Sequence, residues 1–507
     1  MSSLLEQMKQ PGFYPHPVKT PIELMQTHVS YVFLTGDYAY KVKKPVNFGF
    51  LDFSTLERRQ HFCQEELRLN QPYAPEIYLE VLPITQTDSK LVLAGEGEPV
   101  EYALKMSQFP QDTLLVNLFE QSQLTEAHME ELGRVVAQFH AQAPSNDYIR
   151  SFGTVDKVRE ALDENYKQTN KYIGSVQTQQ QYEETQEFSD RFFKQRQELL
   201  SARREKGAIR ECHGDLHLRN ICLWHDKIQL FDRIEFNEPF RFVDVMYDVA
   251  FAVMDLDARG CKNLGNAFLN TYVEQTGDWE GLQVLPLYLS RQAYVRAKVT
   301  SFLLDDPEVP EDAKQEAAAT AADYYRLAWE YTKTNQGRLM IMSGLSGSGK
   351  STVARRLARH LGAIHLRSDA VRKHLAGISL DQQGGDEIYT PEMNQRTYDR
   401  LLELGIMLAS QGFAVILDAK YDRQALRKEA IAQAQAHQLP LQILHCIAPV
   451  EVLCDRLSSR TGDVSDATAN LLEKQRATAE AFTEAEQSLV TSLDTTQDWA
   501  SQLGLKS

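Results

Sequence analysis

The stretch GLSGSGKS at 344–351 constrains this chain more than any other. It fits GxxxxGK[ST], the Walker A pattern, at every fixed position. It also stands between an apolar run, RLMIMSG, and a helical pattern, STVARRLARHL. A strand that passes into a helix through glycines lets backbone amides and the helix N-terminus wrap a phosphate. The expected nucleotide-binding residues are therefore Gly344, Ser346, Gly347, Ser348, Gly349, Lys350, Ser351 and Thr352. Lys350 would reach the β- and γ-phosphates of ATP, and the Ser351 hydroxyl would ligate Mg2+. Strand and helix patterns alternate around it: RLMIMSG, AIHLRS, FAVILDA and LQILHCIA are each followed by a helical stretch. That rhythm predicts a parallel sheet covered by helices on both faces, an α/β sandwich over 336–507.

Further residues point to phosphoryl transfer. AIHLRS ends beside Asp369, where a carboxylate can accept a proton from a substrate hydroxyl or cap the helix DAVRKHL. Arg372, one turn later, can neutralise charge on a transferring phosphoryl group. FAVILD places Asp418 at another strand end, suited to hold the metal and its water shell. Arg456 and Arg460 share a helical face and suit a lid over ATP, or simply an exposed basic face. Together these motifs resemble the small P-loop kinases, a group with gluconate-kinase-like, polynucleotide-kinase-like, chloramphenicol-phosphotransferase-like and zeta-toxin-like members. DVSDAT, after Arg460, is similar to the segment such kinases carry after their lid.

A second, different site is written at HGDLHLRN, 213–220. Its H-x-D-x-x-x-x-N spacing is that of a kinase catalytic loop, with Asp215 as the base toward a hydroxyl and Asn220 as a metal ligand. IQLFDRIEF then ends a strand at Asp232, a second metal carboxylate. Upstream, YAYKVKK puts Lys41 and Lys43 on one strand face, so either could meet the ATP phosphates. Glu66, in a helical pattern over 54–70, could fix that lysine. Residues 28–44 read as two strands about a turn at Gly36-Asp37, EYALKMSQFP as the connection between lobes, and 124–206 as one long, mostly polar helical stretch. Asp244 and Asp248 could hold a cationic substrate or brace the loop; His213 and His217 read as loop-shaping residues.

These residues resemble the aminoglycoside phosphotransferase family, which shares the protein-kinase fold and includes choline-kinase-like enzymes. The resemblance runs over about 25–300 and implies a bilobal α+β domain. A proline-punctuated turn, an Ala-rich helical pattern and a polar stop over 305–336 put its end at about 335. This gives a domain over 1–335, with its N-lobe about 25–110 and its C-lobe about 111–335. The resemblance also implies ATP- and Mg2+-dependent phosphorylation of a small molecule's hydroxyl. One glycine replaces a GxGxxG loop in FLTGDYAY, so phosphate cover comes from Thr35 and the backbone or is weaker. No activation-loop signature follows Asp232.

Charge narrows the partners. The net −16 disfavours nucleic acid and anionic membranes as general partners. It is uneven: from Gly337 onward 19 Lys and Arg meet 20 Asp and Glu, so the acidity lies in the preceding domain. Six cysteines without a CxxC pair, and no apolar run near a membrane span's length, suit a cytoplasmic chain. The expected function is a two-domain, bifunctional ATP-dependent kinase acting on small hydroxyl acceptors. The alternatives are that one domain is an ATP-binding regulatory module, or that the P-loop domain is a nucleic-acid-end or protein-directed kinase.

Overall fold

A computed structural model describes residues 2–87, 90–458 and 472–505. The chain divides into two compact units, neither continuous in sequence. Unit 1 comprises Met1–His128, Gln138–Gln168 and Asp190–Asp255; unit 2 comprises Met129–Ala137, Thr169–Ser189 and Leu256–Ser507. The expected boundary near 335 lies inside unit 2.

Unit 1 opens with an antiparallel sheet of β1 (Glu23–Gln26), β2 (Ser30–Leu34), β3 (Tyr38–Lys43), β4 (Tyr78–Thr87), β5 (Lys90–Leu93) and β6 (Pro99–Ser107). Its order is β1-β2-β3-β6-β4-β5. Gly36, at φ 110°, makes the turn between β2 and β3, in the left-handed region open to glycine. Alternation along β3 sends Tyr40 and Val42 into a core with Phe33, Ile84 and Ala103. Lys41 and Lys43 therefore share the opposite face, toward the helix Leu56–Asn70. That helix starts on Thr55, whose hydroxyl accepts from the Arg58 amide, and Arg59 ties it to Glu101 of β6 at 2.9 Å.

The second half of unit 1 carries β7 (Ile209–Glu211), β8 (Ile221–Trp224), β9 (Lys227–Leu230) and β10 (Phe242–Asp244). β7 pairs with β10 and β8 with β9, both antiparallel. HGDLHLRN spans the gap between β7 and β8, and Asp232 follows β9. The stretch 124–206 is not one helix. It breaks into Glu126–Gln142, Val155–Thr169, Gln179–Gln195 and Gln197–Glu205, with shorter turns between, because Pro144, Gly153 and Gly174 interrupt the helical ladder.

Unit 2 holds a five-stranded, all-parallel sheet: β11 (Arg338–Ser343), β12 (Ile364–Arg367), β13 (Ala414–Asp418), β14 (Leu441–Ile447) and β15 (Val490–Asp494), in the order β12-β13-β11-β14-β15. Met340, Ile416 and Leu444 pack with Val353 and Leu357 of the helix Lys350–Leu361. The alternate residues Leu339 and Leu417 meet Gly405 of the helix Pro391–Ala409. The sheet is thus covered on both faces. β15 was not anticipated: VTSLD alternates weakly, and its pairing with β14 alone makes it a strand. Among the described residues, no helix is long and apolar enough to cross a membrane.

Candidate active sites

In unit 1, folding brings β3, the Leu56–Asn70 helix and the segment after β9 to one point. Lys41 Nζ lies 2.7 Å from Glu66 and 2.6 Å from Asp232. Lys43 Nζ lies 2.8 Å from the other Glu66 oxygen and also pairs with Glu235. The result is an alternating chain, Asp232–Lys41–Glu66–Lys43–Glu235. Burial alone would raise Glu66 and lower both lysines; the mutual attraction outweighs it, so Glu66 is held low and the lysines high. The two lysines are not equivalent. Lys43 is 1% exposed and rests over the Phe53 ring, whereas Lys41 is 14% exposed and meets Asp232, which is 43% exposed.

The loop around Asp215 is braced from several sides. Asn220 Nδ2 donates to the Asp215 carbonyl and carboxylate, both at 3.0 Å. Asp248, fully buried, accepts from the His213 amide at 2.6 Å and the Gly214 amide at 2.8 Å, and Asp255 accepts from the Leu218 amide at 3.0 Å. Asp244 is buried against Arg203 at 2.7 Å. Both aspartates therefore brace the fold. His213 bonds the Phe231 carbonyl through Nε2 at 2.9 Å and accepts from the Asp215 amide at Nδ1. His217 accepts from the Arg219 amide and lies 3.3 Å from the Asp215 carboxylate. Asp232 sits at φ 61°, a strained setting for a residue with a side chain, and its backbone N–H donates to the buried Tyr78 hydroxyl at 2.9 Å. Thr35 is buried, and its hydroxyl donates to the Tyr38 carbonyl to close the turn.

Glu235 and Tyr78 were missed. Glu235 stands three residues after Asp232 in FDRIEF, but nothing local marks it as the partner of a lysine 192 residues away.

In unit 2 one cavity is lined by Lys350, Ser351, Asp369, Arg372, Asp418 and Arg456, among others. Gly344 and Gly349 hold φ of 133° and 88°, and a Cβ on Gly344 would lie 2.4 Å from the Cys446 carbonyl. Lys350 Nζ, lowered by burial, donates to the carbonyls of Gly344 and Leu345 at 3.0 and 2.8 Å. Asp418 lies 3.0 Å from His365 Nε2. Burial would raise its carboxyl; His365, Arg367 and a bond from the Ser351 hydroxyl bring it down to about 2. His365 was the missed residue here, present in AIHLRS without a local sign of its role.

Asp369 is not a helix cap, since the helix Ser368–Ala376 begins before it, with Arg367 at the cap. Ser346 exchanges bonds with Gln475, its amide donating to the carbonyl and its hydroxyl accepting from the amide, each at 3.0 Å. Ser348 accepts at its carbonyl from Thr495, and Thr352 lines the cavity rim. Arg456 is not on an open basic face: it donates to the Gly347 carbonyl and to Thr495. Arg460 and DVSDAT lie outside the described residues.

The sequence matches two family models: residues 57–285 match the Phosphotransferase enzyme family, and residues 339–482 match a family described as AAA domain. Uncharacterized proteins of Mycobacterium tuberculosis and Mycobacterium bovis are each 30% identical to it over 462 residues, 90% of this chain and 90% of theirs. Similar solved structures include a choline/ethanolamine kinase family protein from Mesorhizobium loti, 11% identical, covering 65% of this chain and 99% of that one, with TM-score 0.39. Another is a sugar kinase from Janibacter sp., 26% identical, covering 33% of this chain and 91% of that one, with TM-score 0.25. Both domains are of kinase type, which points to a phosphotransferase. The chain belongs to the family of these mycobacterial proteins, and in it a kinase-like phosphotransferase domain is followed by a P-loop kinase domain.

Proposed function

We propose that the chain is a bifunctional kinase, each domain transferring the γ-phosphoryl group of ATP to a hydroxyl of a small-molecule acceptor. The observation that carries this is the complete pair of charge arrangements. Lys41, Glu66 and Asp232 converge beside a loop where Asp215 bonds Asn220, and Lys350, Ser351 and Asp418 converge beside Asp369. In each half the acceptor oxygen bonds to the γ-phosphorus as the bridge to the β-phosphate breaks and ADP leaves. The hydroxyl proton passes to Asp215 in one site and to Asp369 in the other.

Lys41, the more exposed lysine, meets the phosphates, with Glu66 fixing its Nζ. Lys43 holds the far side of Glu66. In the P-loop domain the amides of 344–352 and Lys350 cradle the phosphates, with Arg456 beside Gly347. Arg460, four residues further on in the sequence, closes over ATP with Arg456.

Mg2+ fits both sites on donor chemistry. Asn220 Oδ1 and Asp232 Oδ2 have no partner among the described residues and are hard oxygen donors. Ser351 and the ionised Asp418 are oxygen donors of the same class. When bound, Mg2+ supplies neutralisation of charge on the β- and γ-phosphates.

The test is ATP consumption against a metabolite library with wild type, Asp215→Asn and Asp369→Asn. The expected outcome is two sets of acceptors, each lost with one variant and kept with the other. A variant that alters nucleotide affinity but no turnover would make its domain a nucleotide sensor instead. If both variants leave all turnover intact, the assignment of the bases is wrong.

A further inference from the structure

The cavity over the P-loop carries more positive charge than its domain. Eight Lys and Arg side chains line it against four Asp, namely Asp369, Asp386, Asp418 and Asp422. The sequence from Gly337 onward is nearly balanced, so basic residues are concentrated at this cavity. Several are committed. Lys350 and Arg456 are bonded to P-loop carbonyls, Arg367 lies 3.4 Å from Glu274, and Lys420 lies 3.1 Å from Asp422. A magnesium nucleotide, whose cation offsets part of the phosphate charge, balances some of the remainder.

Four are left: Arg355 and Arg356, exposed on the helix Lys350–Leu361, and Arg372 and Arg423, which lie toward Asp369 and the end of β13. Arg372 is 6% exposed, and no carboxylate among the described residues pairs with it. Its Nη1 donates to Asn394 Oδ1 at 2.7 Å and to the Ile388 carbonyl at 3.2 Å, with the guanidinium over the Tyr389 ring. Its Nε, buried, has no hydrogen-bond partner among the described residues. A nearly buried guanidinium held by neutral groups keeps its charge for something else, because burying an unbalanced cation is costly. Its partners belong to the segment 388–394, not to the P-loop. Arg423 is exposed on the same cavity after β13, and its guanidinium has no partner among the described residues. Arg372 follows Asp369 by three residues on one helix, so the two share a face.

Resting on the kinase reading above, we propose that the acceptor of the P-loop site is itself an anion. It is a hydroxyl compound bearing a carboxylate or phosphate ester a few bonds from the hydroxyl that is phosphorylated. Asp369 takes the hydroxyl, while Arg372, oriented by Asn394, and Arg423 hold the anionic group. The role of Arg372 thus moves from the transferring phosphoryl group to the acceptor.

Two measurements test this on the full chain carrying Asp215→Asn, so that turnover reports the P-loop site. In the first, polyols are compared with the sugar acids of the same carbon chain, and sugars with their monophosphates. An anionic member should exceed its neutral partner in kcat/KM by about hundredfold or more, and Arg423→Gln should raise its KM about tenfold with kcat held. The two kinds of pair separate carboxylate from phosphate. The second needs no turnover: inorganic sulfate is titrated calorimetrically with the P-loop filled by a non-hydrolysable ATP analogue and Mg2+. Sulfate should bind, and Arg423→Gln should weaken it about tenfold; Arg372→Gln should do the same if it folds. Neutral acceptors used as well as anionic ones, or sulfate binding absent or insensitive to Arg423→Gln, overturns the proposal. If the analogue does not bind, or binds equally after Lys350→Ala, the nucleotide reading itself fails and takes this proposal with it.

Discussion

Lys41 and Lys43 show what one position can decide. Two residues apart on β3, they face the same way, so alternation could not say which one serves the phosphates. Burial separates them. Lys43 lies over the Phe53 ring between two buried carboxylates, Glu66 and Glu235, and its loss would leave those charges unbalanced. Lys43→Met should therefore destabilise the fold by about 3–5 kcal/mol, read as a lowered denaturation midpoint. Lys41→Met leaves Glu66 its Lys43 partner and Asp232 its solvent, so the midpoint should move less. Turnover at the Asp215 site should instead fall about hundredfold or more. Equal effects of the two variants on stability and on turnover would remove the distinction.

At the scale of elements, the motif strings were legible because their geometry is written locally. GLSGSGKS needs backbone angles that glycine supplies, and HGDLHLRN places an aspartate and an asparagine within one loop. What holds those elements was less legible, because it comes from far along the chain. Asp248, 35 residues past His213, grips the Asp215 loop by two amides, and His365 reaches Asp418 from a neighbouring strand.

The Asp215 loop carries a pH dependence of its own. His213 donates through Nε2 and accepts at Nδ1, so its neutral form satisfies both bonds, and burial holds its pKa below the usual 6.5. Above 6.5 folded and unfolded states are both neutral, and its full contribution is present. Below 6.5 the unfolded state takes up a proton first, and stability is lost as pH falls toward the native pKa, at no more than about 1.4 kcal/mol per pH unit. Denaturant midpoints should drop between pH 7.5 and 5.5, and His213→Asn should flatten part of that slope. An unchanged slope in the variant would mean His213 does not report the loop's protonation.

At the scale of the molecule, the question is where the P-loop domain begins. The boundary expected near 335 follows the helix Glu311–Glu330, yet β12, an edge strand of the parallel sheet, is completed from outside the range 336–507. Within unit 2, Asn270 of the helix Lys262–Thr276 accepts from the His365 amide at 2.7 Å and donates to the Ala363 carbonyl at 3.0 Å; Asn266 donates to the same carbonyl at 2.9 Å. Two asparagines thus cover backbone groups that an open strand edge would expose. Arg400 with Glu280, and His374 with the Glu274 carbonyl at 2.7 Å, extend the contact. A fragment of 336–507 should leave that edge bare and self-associate, seen as higher mass in light scattering. A fragment of 256–507 should be monodisperse and denature at a higher midpoint. In the full chain, Asn270→Ala should cost about 1–3 kcal/mol, the penalty of leaving buried backbone groups unpaired. A monomeric 336–507 fragment as stable as the longer one would place the boundary at 335. The opposite result makes the helices after 256 part of the P-loop domain's fold, although the family resemblance assigns them to the kinase-like domain.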